Sequence, residues 1–154
     1  MRSTHIRVVI VALLGIVSAG FAAAQSAKME FRENSKLVWT DMDVPGFAPG
    51  MKIAPMVGDP SVADQAYTLR LKFPDGYRFP AHYHPRAENL TVMSGTLLLE
   101  MGPKETGAYT EYAPGDYLFI PPTMPHSGGA KGETVIQLHG VGPFDIMLVN
   151  PVKK

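Results

Sequence analysis

The chain of 154 residues contains no cysteine. Disulfides and a lipid-anchored N-terminal cysteine are therefore excluded, and stability must come from packing or from a bound metal. Charge is sparse and balanced, with 14 Lys and Arg against 14 Asp and Glu, and no basic cluster disturbs it. Nucleic acid and anionic membrane surfaces are thus poor partners. The sequence shows no long amphipathic helix, no internal repeat, no low-complexity segment and no phosphate-binding glycine loop. Its nine methionines form no Met-x-Met or Met-x-x-Met cluster, which removes a methionine-based copper carrier.

The longest apolar run, Val8 to Phe21, follows Arg2 and Arg7 and ends in Ala22-Ala23-Ala24. It is shorter than the ~20 residues of a membrane span. A positive start, an apolar middle and a small-residue site read as a cleavable leader, residues 1–24, with the mature chain beginning at Gln25. The two arginines are not adjacent, which favours the general secretory route over the twin-arginine one. The expected location is periplasmic or secreted. The mature chain would keep 130 residues, 154 less the leader's 24, enough for one domain with one core.

Fifteen glycines and 14 prolines punctuate this chain into short runs, as in an all-β sandwich or barrel. Residues 25–63 read as lead-in strands and turns, with Leu37-Val38-Trp39 a strand and "DVPGFAPG" and "MVGDPSVAD" turns. Tyr67, Leu69, Leu71 and Phe73 then alternate with Thr68, Arg70 and Lys72 before the turn Pro74-Asp75-Gly76. Further on, Tyr117 to Ile120 reads as a buried strand, and Thr134 to Val141 and Phe144 to Asn150 as two more, joined by Gly142-Pro143. Tyr77, Phe79, Leu90, Val92, Leu97, Leu99, Phe119 and Leu138 are expected in the core or lining a cavity.

Two of the five histidines stand one residue apart in "GYRFPAHYHPRAENLTVMSG". On a helix His82 and His84 would point about 200° apart, whereas on a strand they share a face, with Tyr83 on the other. Pro85 and Arg86 then interrupt the ladder, so the chain doubles back and Glu88 meets the imidazoles. Two neutral imidazoles and a carboxylate form a good half-shell for a divalent ion. Gly76, His82, His84, Glu88 and Gly95 would fall in this register by chance in about one such sequence in ten thousand. A second stretch, "GDYLFIPPTMPHSGGA", carries Gly115, Pro121 and His126.

Together these stretches resemble the two motifs of the cupin superfamily. The first, G-x5-H-x-H-x3-E-x6-G, is matched at every fixed position. The second, G-x5-P-x-G-x2-H-x3-N, is matched by Gly115, Pro121 and His126, with Thr123 in place of the glycine and Ala130 in place of the asparagine. The resemblance spans about residues 64–150 and implies a double-stranded β-helix, the cupin jelly-roll barrel. It further implies that His82, His84, Glu88 and His126 converge on one divalent ion, with Fe, Mn, Zn, Ni and Cu all acceptable to such donors. By its period of two, the strand after His126 puts Gln137 and His139 on one face. If that face points inward, both line the pocket.

Cupins with this ligand set include dioxygenases, isomerases, decarboxylases and non-enzymatic binding domains, so the fold alone cannot choose among them. The expectation is a metal-dependent periplasmic enzyme, a dioxygenase or isomerase acting on a small organic molecule, with Glu88 also serving as base. The alternative is a non-catalytic metal or small-ligand binding domain, favoured if Glu88 lacks a second cavity carboxylate; Asp116 and Glu100 are the candidates. The expected partners are a small-molecule ligand and a second copy of the chain in a homodimer, with no nucleic acid and no membrane contact after leader removal.

Overall fold

The computed structural model describes residues 29–150. The expected leader, residues 1–24, and its cleavage site lie outside the described residues. Apart from one 3-10 turn, Asn34–Lys36, the described chain forms only strands. In order they are β1 (Thr40–Asp41), β2 (Lys52–Val57), β3 (Ala66–Phe73), β4 (Arg78–Tyr83), β5 (Glu88–Met101), β6 (Thr110–Tyr112), β7 (Tyr117–Ile120), β8 (His126–Val141) and β9 (Met147–Leu148).

Every pairing is antiparallel, and the two longest strands organise the sheet. The first half of β8 lies between β4 and the second half of β5, and the second half of β8 between β3 and the first half of β5. β2 and β1 extend the sheet beyond β3, while β6 and β7 flank β5 on its other side. Because β5 and β8 run through both halves, the sheet must curl around one core. The jelly-roll class expected from the motifs is the one observed.

The bend in β5 is at Gly95, where the register with β8 shifts. Gly95 has φ +73°, and a Cβ there would stand 2.4 Å from the Glu133 carbonyl oxygen. Only glycine meets both demands, positive φ and backbone contact. Thr134 Oγ1 fills the gap in the ladder, accepting the Thr96 N–H at 3.1 Å.

β3 alternates as its sequence indicates, with Tyr67, Leu69, Leu71 and Phe73 buried. These pack with Leu90, Val92, Leu97, Leu99, Ile136 and Leu138 from β5 and β8. Each fully buried leucine, such as Leu138, contributes about 2 kcal/mol relative to exposure.

Four expectations need correction. Leu37-Val38-Trp39 is not a strand; only Thr40 and Asp41 pair, with Ile53 and Lys52. Continuing that ladder would set Val38 against Pro55, which has no N–H to give. Second, Met56 and Val57 leave the expected turn "MVGDPSVAD" and end β2, which pairs with β3 with a register shift between Pro55 and Val57. Met51 and Ala54 are buried, so this part of the lead-in packs into the same core. Third, β7 is only half-buried: Leu118 and Ile120 face inward, while Tyr117 and Phe119 are each 57% exposed. Fourth, the expected strand Phe144 to Asn150 shrinks to Met147–Leu148, because the backbone of Asp145 is turned toward a histidine.

Candidate metal centre

β4 carries His82 and ends at Tyr83. His84 follows in the bend, and the turn through Pro85 and Arg86 lets β5 open on Glu88. His126 is the first residue of β8 and pairs directly with His82 across the β4–β8 ladder. The fold thus brings the two motifs to one point, and all four side chains are buried.

The ring centre of His82 lies 4.4 Å from that of His126 and 5.0 Å from that of His84; the third pair is 5.4 Å apart. One nitrogen from each ring falls within 4.8 Å of the others. Glu88 Oε2 stands 3.5 Å from His126 Nε2 and 3.7 Å from His84 Nε2.

Backbone carbonyls fix the ring orientations. His82 Nδ1 lies 2.8 Å from the Pro80 oxygen, His84 Nδ1 2.8 Å from that of Asp145 and His126 Nδ1 3.1 Å from that of Met124. A carbonyl can only accept, so each Nδ1 carries the proton and each Nε2 keeps its lone pair. Aromatic rings hold the imidazoles from behind. Phe47 and Phe79 meet His82 edge-on, and Phe144 stacks on His84 at 4.6 Å.

Electrostatics agree with this orientation. Burial pushes His82 down to about 3, helped by the neighbouring His126, and pushes His84 down to about 4. His126 is lowered by burial as well. Burial pushes the Glu88 carboxyl up to about 8. The imidazoles are therefore neutral donors at neutral pH, beside a carboxyl that gains from a nearby positive charge. His84 Nε2 and Glu88 Oε2 are buried with no hydrogen-bond partner. Such orphaned atoms each cost about 1–3 kcal/mol, and a divalent ion would satisfy both. The donor set fits an ion of the kind that imidazole and carboxylate prefer.

Around these four residues the barrel encloses a cavity, and every other lining side chain is apolar. Gln137 and His139 do not line it, which corrects the inward reading. On β8 the inward residues are Ile136 and Leu138, so Gln137 and His139 stand on the outer face, with Arg70 donating to Gln137 at 3.0 Å. Glu100 and Asp116 are elsewhere too. Glu100 accepts from the Thr106 hydroxyl and the Thr106 and Gly107 amides, which lowers its pKa, and Asp116 accepts the Ala113 N–H. Sequence reasoning missed Phe47, Phe144 and Ile146, which lie in irregular segments. The signal for Phe47 was an aromatic residue inside the turn-rich "DVPGFAPG".

Residues 69–142 match the cupin domain family model. Solved structures agree in fold. The polyketide cyclase RemF from Streptomyces resistomycificus superposes with a TM-score of 0.67 at 20% identity, covering 82% of this chain and 89% of its own. A putative acetylacetone dioxygenase from Methylibium petroleiphilum gives 0.63 at 14% identity, covering 82% and 85%. KdgF from a Halomonas species gives 0.54 at 23% identity, covering 73% and 94%. No curated protein matches the sequence significantly. The motif, the barrel and the family match make residues 69–142 a cupin domain.

Proposed function

We propose that the protein is a metal-dependent enzyme acting on a small organic molecule, exported to the periplasm by its leader. The observation that carries this reading is Glu88: the only carboxyl in the cavity among the described residues, buried, and unpartnered at Oε2 beside two imidazoles. An ion held by His82, His84, His126 and Glu88 supplies Lewis-acid polarisation of an oxygen ligand. The chain's own residues do the rest. The three imidazoles hold their Nε2 lone pairs in place through backbone carbonyls, the apolar walls exclude water, and Glu88 takes or returns a proton at the carboxylate oxygen that does not hold the ion. Isomerisation needs only that proton transfer, and oxygenation of the same substrate is the other outcome suited to the site. Two proteins of this fold bear enzyme names, a polyketide cyclase and a putative acetylacetone dioxygenase, which supports an enzyme reading.

A second reading, a non-catalytic module that captures a ligand through its metal, is favoured by one observation: the cavity holds no acid or base besides the four site residues. Metal-loaded protein equilibrated with periplasmic extract separates the two. The enzyme reading expects turnover of the captured compound, slowed at least ~100-fold by Glu88→Gln at equal metal content. A compound recovered unchanged after long incubation with oxygen and the native metal supports the binding module. Export is checked by the intact mass of periplasmic protein, expected to begin at Gln25; a full-length chain in the cytosol would refute it.

A further inference from the structure

The cavity walls narrow the substrate class, an inference that rests on the proposed function. The cavity is lined by 15 side chains; four are the histidines and Glu88, and the others carry no hydroxyl, amide or charge. Phe47, Leu71, Phe79, Leu97 and Leu99 represent the walls. Only Phe47, Phe144 and Ile146 among the apolar lining residues keep appreciable exposure, so the cavity opens beside them; the exposed Asp145 between the last two adds a negative charge to that segment and no cation. The cations beside lining residues in sequence are engaged elsewhere: Lys52 with Asp41, Arg70 with Asn34 and Gln137, Lys72 with Trp39, Arg78 with the Tyr77 and Ala130 carbonyl oxygens, and Arg86 with Asp64.

We infer that the substrate is a neutral, largely hydrocarbon or aromatic molecule, with its polar atoms confined to the end that meets His82, His84, Glu88 and His126. A second carboxylate, a phosphate, an ammonium group or a ring of sugar hydroxyls would lose its water and find no partner on these walls. Sugar acids, amino acids and phosphate esters are thereby disfavoured. Discrimination of this kind comes from the penalty on an unanswered polar group more than from attraction to the apolar part.

Two probes with the same pair of oxygens isolate the effect: 4-methylcatechol and 3,4-dihydroxybenzoate. Mature protein loaded with cobalt(II), its metal content measured, is titrated with each in the absence of oxygen while the visible cobalt bands are followed. The ratio of affinities is compared with that for free cobalt(II). The inference expects the protein to favour the methyl compound at least ~10-fold more than free cobalt does, as an unpaired buried charge requires. Ile146→Lys sets a cation at the mouth, on a segment outside the strands, and should reduce that preference at least ~10-fold. Equal binding, a preference for the carboxylate, or no change with Ile146→Lys overturns the inference and leaves the metal reading standing. Failure to hold cobalt, or to bind either catechol, overturns both.

Discussion

Thr123 stands where the family motif has glycine, and its φ is +61°. A β-branched residue in this left-handed region is strained, by about 1–3 kcal/mol. The residue is exposed in the turn between β7 and β8, and its N–H donates to the His84 carbonyl at 2.8 Å. One main-chain bond therefore ties the segment leading to His126 to the bend that carries His84. Thr123→Gly removes the strain but gives the unfolded chain about 0.5–1 kcal/mol of extra entropy. The net is a gain of about 1 kcal/mol, or roughly 3–5 °C for a domain of this size. Thr123→Asn, which tolerates the same φ, should gain a similar amount, whereas Thr123→Val keeps the branched Cβ and should gain nothing. Urea denaturation of metal-free protein reads all three, and metal content should be unchanged because the tie is made by backbone. A Gly variant less stable than wild type, or a Val variant as stable as Gly, would refute the strain argument.

Two other outcomes follow from the structure. A Cβ at Gly128 would lie 2.2 Å from the Leu98 carbonyl oxygen and 2.6 Å from Phe79 Cζ. Gly128→Ala should therefore cost at least about 2 kcal/mol, seen as a lower urea midpoint. For pH, the metal-free Glu88 has a folded pKa raised to about 8, above its ordinary 4.5. Its contribution to stability is fully present below about pH 4.5 and is lost as pH rises through about 8. His82 and His84, lowered to about 3 and 4, contribute stability present above 6.5 that is lost as pH falls through those values. A bound ion wants Glu88 ionised, so the difference in melting temperature between loaded and metal-free protein should widen from about pH 5 to pH 8. A constant difference would mean that Glu88 does not ionise on metal binding.

The His82, His84 and Glu88 half of the site was legible because HxH followed by a glutamate needs only a strand, a proline bend and a return, all local features of residues 82–88. His126 was legible through the second motif. The orientation of β8 was not. Gly128, Gly129 and Gly132 carry no side chain to mark a face, so the sequence shows a strand only from Thr134 and not the continuous strand His126–Val141. Had it been seen, the inward Ala130, Ile136 and Leu138 would have put Gln137 and His139 outside. Phe119 failed for a related reason: β7 pairs only with β5, and its odd positions face solvent. Phe47 and Phe144 reach the site from segments that follow no period, so no periodicity could aim them.

The central claim is that one divalent ion sits among His82, His84, Glu88 and His126. It is tested most directly by elemental analysis of the protein purified from its native compartment, alongside His82→Ala/His84→Ala, His126→Ala and His139→Ala. The account predicts close to one ion per chain in the wild type and in His139→Ala, a reduced content in His126→Ala, and none in the double variant. A wild type without metal, a double variant that keeps it, or a His139→Ala loss as deep as that of His126→Ala would contradict the account.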